Sequence, residues 1–219
     1  MEKDQENRRS PGRHNDLGAS PLEELLKGVD LLRVAPGDRV IDLGCGNGEF
    51  LAAALRTAES AVGVDVSKNR LDQAALRFKG DSRVELIRSP LLDFEPGGKT
   101  FTKGFSHKAL HTLTDPEKHR FFAKIGKSFI PKALFLVIDG IFDFERSDLD
   151  SNWPGLMKDC AAYYGAAWER RKDGIIFSFR KEYPAGIKTW TSALAAGGFR
   201  VVKRERRSSF YGFLLAEKE

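Results

Sequence analysis

The spacing of apolar and polar positions along this chain changes several times, and each change marks an element. Leu22, Leu25, Leu26, Val29 and Leu32 recur at helical spacing, which puts them on one helix face. Ser20, Pro21, Glu23 and Glu24 suit its first turn, with Ser20 at the cap. After the Pro36-Gly37-Asp38 turn the pattern shortens. Arg39–Leu43, Ala61–Val66, Val84–Ile87, Phe105–Leu110 and Ala133–Ile138 read as strands, the last a continuous apolar run suited to a buried parallel position. The segments between them are helical. One turns Phe50, Leu51, Ala54, Leu55 and Ala58 inward. A second, capped by Ser67, turns in Leu71, Ala74, Ala75 and Phe78. A third, opened by Asp115-Pro116-Glu117, turns in Phe121, Phe122, Ile125 and Phe129. Strands alternating with helices predict an α/β fold with a mostly parallel sheet covered on both faces. Right-handed crossovers then gather the loops after the strands on one edge, where ligands bind.

The last third has a different texture. Ten aromatics fall between Phe142 and Trp190. The spacing predicts a helix over 154–172, with Leu156, Cys160, Tyr163 or Tyr164, and Ala167 on one face. A second helix is predicted over 185–196, ending at Gly197-Gly198. Residues 200–206 and 210–216 read as an antiparallel hairpin turning at Ser208-Ser209. Residues 1–20 carry many charges and few large apolar groups, and read as a flexible tail. Residues 21–219 then form one domain, a size that buries its own core. Residues 142–190 are expected to cover the substrate.

Composition adds limits. The chain has 219 residues, 41% hydrophobic and 31% charged, with two cysteines. Cys45 and Cys160 form neither a disulfide framework nor a metal spacing, so no metal is expected. No signal-peptide pattern opens the chain and no run approaches a membrane span, so a soluble cytoplasmic protein with no membrane contact is expected. From Trp168 onward there are twelve Lys/Arg against six Asp/Glu, while the whole chain is +5. That basic quarter keeps nucleic acid open as a partner, though a solvated face is favoured.

The densest chemical signal is Asp42-Leu43-Gly44-Cys45-Gly46-Asn47-Gly48, at the junction of a strand and a helix. Glycines there permit tight dihedrals and close approach of a ligand to the backbone, and a helix start offers free N–H groups. Asp65 ends the next strand, where a carboxylate can accept ribose hydroxyls. The phosphate-binding lysine of a P-loop is absent.

Val40–Gly48 and Gly63-Val64-Asp65-Val66-Ser67 resemble the first two motifs of class I, Rossmann-like S-adenosylmethionine-dependent methyltransferases. Phe105–His111 and Ala196-Gly197-Gly198-Phe199 resemble the small-molecule branch that includes quinone-biosynthesis enzymes. The resemblance implies a three-layer sandwich on a seven-stranded sheet. It also implies that S-adenosylmethionine meets Asp42 and the Gly44, Cys45, Gly46, Asn47 and Gly48 backbone at its methionine end. Asp65 and Val66 would meet the ribose and adenine, and Ser89, Pro90, Leu91 and Ser106 would complete the site. The chain departs from that pattern at Ser89-Pro90, where Gly-Asp is usual, at Phe101-Thr102 and at Ile130-Pro131-Lys132-Ala133.

Methyl transfer needs alignment and water exclusion, and a base where the acceptor holds a proton. His107, His111 and Asp139 are the candidates for that role. Trp153, Tyr163, Tyr164 and Tyr183 are candidates to hold an apolar or planar acceptor. Transfer to O, N or C of a small molecule is the expected activity. An RNA or protein methyltransferase and a non-catalytic cofactor-binding scaffold are the alternatives.

Overall fold

Short runs of β-branched and aromatic residues pair into a sheet in the order β3-β2-β1-β4-β5-β8-β7. The structure, a computed structural model, describes residues 21–219. The expected tail and the Ser20 cap lie outside the described residues, as does the Leu22 side chain. Strands β1 (Arg39–Leu43), β2 (Ser60–Asp65), β3 (Val84–Arg88), β4 (Phe101–His107) and β5 (Phe129–Phe142) run parallel. β7 (Phe199–Arg206) and β8 (Tyr211–Lys218) close the sheet antiparallel, β8 against β5. A two-residue strand, β6 (Ala185–Gly186), pairs with the end of β5. This is the expected Rossmann-like sandwich.

Alternation along the strands sorts side chains onto two faces. Val40, Phe105, Leu134, Leu136 and Ile138 turn toward α1 (Pro21–Leu32) and α2 (Glu49–Ala54). Ile41, Leu43, Phe135 and Val137 turn toward α4 (Asp115–Ile125) and α7 (Ile187–Ala196). On the second face a cluster of edge-to-face rings forms from Phe122, Phe129, Phe135 and Phe199, an arrangement that the ring quadrupole favours. Helix α3 (Lys68–Arg77) packs by Leu71 and Ala74.

Several boundaries differ from the sequence reading. β4 starts at Phe101 and ends at His107, so Lys108–Leu110 leave the sheet. Lys108 takes a left-handed φ of 52° there, which turns the chain into a 3-10 segment. The cap of α4 is Thr114, not Asp115: the Glu117 carboxylate accepts from the Thr114 N–H at 2.7 Å, a capping box. The single helix expected over 154–172 is two, α5 (Leu149–Tyr164) and α6 (Trp168–Lys181). They break at Gly165, whose φ of 51° stops helical continuation. Leu26 and Ala75, expected inward, are exposed. The stripe on α1 is instead built by Glu24, Gly28 and Leu32 at four-residue spacing, with Leu25 beside them.

Four arginines of the basic C-terminal quarter are paired in place. Arg204 and Arg206 meet Asp143, Arg200 meets Glu217 and Glu219, and Arg207 meets Glu24 and Glu205. Among the described residues no helix is long and apolar enough to cross a membrane, and no group of side chains could hold a metal.

The C-terminal ends of α4 and α7 cross at a pair of glycines. A Cβ on Gly126 would meet the Gly197 carbonyl oxygen at 2.2 Å, and one on Gly197 would meet that of Phe122 at 2.5 Å. Gly126→Ala should therefore destabilise the fold by about 1–3 kcal/mol, the range for overpacking, in urea unfolding followed by circular dichroism. An unchanged midpoint would show that the helices separate at no penalty.

Candidate active site

Loops following β1, β2, β3 and β4 surround one cavity, at the edge where parallel sheets of this kind bind ligands. Asp42, Gly44, Cys45, Gly46 and Asn47 line it from the first loop, and Asp65 and Val66 from the second. Ser89 and Leu91 come from the third, and Phe105, His107, Lys108, Ala109 and Thr112 from the fourth. Leu25, Glu49, Phe50 and Arg70 complete the wall. The Phe50 and Phe105 rings stack at 3.7 Å between centroids and give that side an apolar surface.

The first two loops are tied together by one carboxylate. Asp65 Oδ2 accepts the Gly46 N–H at 2.9 Å and Oδ1 accepts the Ser67 N–H at 2.8 Å. Ser67 stands at the N-cap of α3 as expected, but its side chain makes no capping hydrogen bond, and Asp65 holds its N–H in place. Gly44 and Cys45 both donate their N–H to the Val64 carbonyl, which folds the loop over the end of β2. Gly44 has φ 91° and its missing Cβ would lie 2.3 Å from the Ala109 Cβ. Only glycine meets both conditions.

Asp42 has a different environment. It is 2% exposed, and no described residue donates a hydrogen bond to its carboxyl. Burial first, and the Asp65 charge second, hold its pKa well above the usual carboxylate range. A buried polar group without a donor is destabilising by about 1–3 kcal/mol. Such a group facing a cavity is the mark of a site shaped for a cationic or donor ligand.

The remaining expected site residues spread out. The Cys45 side chain turns inward below Gly63, where burial raises its thiol pKa far above the normal value. Asn47 donates to Glu49. Gly48, φ 78°, packs against the Phe78 ring and does not line the cavity. Ser106 is fully buried and donates to the Leu43 carbonyl at 2.8 Å, bridging β4 to β1. Ser89 donates its hydroxyl to the Pro90 carbonyl, and Pro90 is not part of the lining.

The three candidates for a base separate. His107 lines the cavity. His111 and Asp139 are buried together away from it, His111 Nδ1 lying 2.5 Å from Asp139 Oδ1 and Nε2 3.2 Å from Glu182 Oε2. That network joins the 3-10 turn after β4 to the end of β5 and to the end of α6.

The four aromatic candidates do not line the cavity either. Trp153 lies under the Arg180 guanidinium at 3.8 Å, Tyr163 and Tyr164 pack around Phe210, and Tyr183 faces Arg146.

The sequence reading did not single out Glu24, Tyr211, Arg207 or Lys118. Lys118 is fully buried. Its ammonium donates to the Leu113 and Tyr183 carbonyls, both at 2.6 Å, and to Asp115, and burial pulls its pKa down to about 8. The four-residue spacing of Glu24 to Gly28 and Leu32 puts it on the inward face, but does not tell its partners. Nothing in the local sequence marks the others.

With this geometry the comparisons with known proteins agree. Residues 40–131 match a family model described as a methyltransferase domain. 24-methylenesterol C-methyltransferase 3 of Arabidopsis thaliana is 27% identical over 202 residues, which are 89% of this chain and 50% of that protein. The demethylmenaquinone methyltransferase of Clavibacter sepedonicus is 28% identical over 108 residues, 48% of this chain and 44% of that one. The chain thus spans about half the length of these curated relatives. An S-adenosylmethionine-dependent methyltransferase from Mesorhizobium loti superposes with a TM-score of 0.65 at 18% identity, covering 92% of this chain and 99% of that one. Over residues 40–131 this chain is thus similar in sequence to a methyltransferase domain, and over most of its length it shares the fold of the Mesorhizobium loti structure.

Proposed function

We propose that this protein transfers the methyl group of S-adenosylmethionine to a small-molecule acceptor. The observation that carries this reading is the buried Asp42 carboxylate, without a described donor, in a cavity formed by the Gly44–Gly46 loop and Asp65. A positively charged amino-acid end supplies what Asp42 lacks. We assign Asp65, at the end of β2, to the ribose, and Val66 and Leu91, which line the same cavity, to the adenine. When bound, the cofactor supplies an electrophilic methyl on a sulfonium. Phe50, Phe105 and Leu25 exclude water from that side, and His107 is the base candidate that shares the cavity.

The small-molecule acceptor rests on two further points. The relatives named above are a sterol and a demethylmenaquinone methyltransferase, and the acceptor side of this cavity is partly apolar. Residues 142–190 pack over the ends of β5 and β8 through Phe142, Phe179 and Phe210, and the cavity lining contains none of them. A cytoplasmic setting suits two buried, unbridged cysteines.

Calorimetric titration with S-adenosylmethionine and S-adenosylhomocysteine tests the cofactor site. Wild type should bind both, and Asp65→Asn should bind about 10–100-fold more weakly, from the loss of about 1.5–3 kcal/mol in bonds to a charged group. Absence of wild-type binding would remove the reading.

Asp42→Asn should separate stability from binding. The folded pKa of Asp42 lies above its unfolded value, so the folded state holds the proton more tightly. Stability is therefore lost as pH rises from the unfolded to the folded value, and the full penalty is present above both. Asp42→Asn should thus melt higher than wild type at neutral pH, by about 2–4 °C per kcal/mol relieved. The gap should close as pH falls toward 4, the ordinary carboxylate range, while S-adenosylmethionine binds more weakly. A melting gap independent of pH would contradict this account of Asp42.

A further inference from the structure

One cation on the cavity wall has no acceptor of its own. Arg70 stands on the first turn of α3 and lines the cavity. Its guanidinium lies over the glycine loop, with Nη1 3.2 Å from where a Cβ on Gly46 would stand and Cδ 3.9 Å from it. Side chains on a helix lean toward its N-terminus, and that lean carries Arg70 back toward the loop after β1. No described residue forms a hydrogen bond or an ion pair with it. The neighbouring basic groups are engaged. His107 and Lys108 stand 2.8 and 3.6 Å from Glu24 Oε2. Lys68 pairs with Asp72, and Arg77 donates to the Asn47 carbonyl.

Asp42 shows the opposite imbalance in the same cavity. It begins the loop that Arg70 covers, it is 2% exposed, and its carboxyl has no described donor. The wall therefore holds one acid without a donor and one base without an acceptor. A purely cationic ligand answers only the acid. A ligand with an ammonium and a carboxylate on one carbon answers both.

We propose that Arg70 is a specificity-determining residue that binds the α-carboxylate of the cofactor, while Asp42 takes the ammonium of the same carbon. This rests on the reading of the cavity as an S-adenosylmethionine site and deepens it. Charge decides which part of the ligand Arg70 meets. S-adenosylmethionine has two cationic groups, the ammonium and the sulfonium, and one anionic group. A guanidinium beside the sulfonium would repel it, whereas beside the carboxylate it is attractive. The planar fork of arginine matches a carboxylate with two parallel N–H···O bonds and stays charged at any working pH. Arg70 is exposed in the ligand-free protein, so water solvates the guanidinium until a ligand arrives, and an unpaired cation there carries no burial penalty.

The consequence is a choice between methyl donors. Decarboxylated S-adenosylmethionine keeps the adenosine, the sulfonium and the ammonium but has no anion. It would leave Arg70 unmatched beside a ligand with two positive charges, and the site should discriminate against it.

Calorimetric titration with ligands that differ only at the amino-acid end tests this assignment. Arg70→Met keeps the length of the side chain and removes its charge. It should weaken S-adenosylhomocysteine by about 3–30-fold, between the effect of an exposed ion pair and that of a charged hydrogen bond. Binding of 5′-methylthioadenosine, which lacks the amino-acid end, should stay within about twofold of wild type. Arg70→Lys, which keeps the charge without the fork, should fall between wild type and Arg70→Met. The wild-type preference for S-adenosylmethionine over its decarboxylated form should narrow in Arg70→Met by the factor lost with S-adenosylhomocysteine, as expected for two groups in contact. Raising the salt concentration should weaken S-adenosylhomocysteine binding more in wild type than in Arg70→Met. Because Arg70 is exposed, both variants should melt with wild type. An Arg70→Met loss that 5′-methylthioadenosine shares would place Arg70 on the adenosine half and overturn the proposal, as would unchanged S-adenosylhomocysteine binding. Both results require that wild type bind S-adenosylhomocysteine, and so differ from failure of the cofactor reading, in which wild type does not bind it and this proposal falls too.

Discussion

One carboxylate holds the two loops that make this site. Asp65 accepts an N–H from the glycine loop after β1 and another from Ser67 at the N-cap of α3. Without an acceptor there, two backbone amides at the end of a parallel sheet would be buried with no partner. Together with the Gly44 and Cys45 N–H bonds to the Val64 carbonyl, this carboxylate holds the glycine loop over the end of β2. The positive φ at Gly44 and its close contact with Ala109 depend on that tether, because they fix a conformation that no larger residue could take.

Around that tether the site divides into two electrostatic halves. On one side Asp42 and Asp65 stand close in a buried place, and Asp42 carries the penalty as a raised pKa. On the other, Glu24 is surrounded by donors: His107, Tyr211, Lys108 and Arg207. Asp42 has no donor among the described residues, whereas Glu24 is held by several. A fold tolerates the first arrangement where binding relieves it, which is why stability and binding are opposed at Asp42. The second arrangement joins α1, β4 and β8, three elements far apart in the chain, and so makes the early helix part of the site.

The interior networks serve the frame. His111, Asp139 and Glu182 tie the turn after β4 to β5 and to the end of α6, and Lys118 fastens the same turn to the segment before β6 through the Tyr183 carbonyl. These groups are charged or polar and deeply buried, and each is held by specific partners, as buried ionisable groups must be. They keep the loop that carries Lys108 and Ala109 in a fixed position beside the cavity. Aromatics of α5 and α6 act similarly: Tyr164 stacks on Phe210, and Phe179 meets Phe142 edge-on.

The sequence by itself determined what depends on local spacing. The alternation of strands and helices, the parallel sheet with its closing hairpin, and the glycine loop with Asp42 and Asp65 were all legible, because period and glycine placement act within a few residues. Helix breaks and caps were less so: Gly165 divided one expected helix into two, and Thr114 took the cap from Asp115, since competing cap residues stand side by side. Tertiary structure alone decided which polar residues meet. His107 and His111 are four positions apart and look alike in the sequence, yet β4 ends between them. His107 is left on the cavity wall, and the turn carries His111 into the interior against Asp139. Glu24 reads as an ordinary first-turn acid until the sheet brings Tyr211, 187 residues away, to its carboxylate. Long-range pairing of this kind is set by the order of the strands, and no local pattern records it.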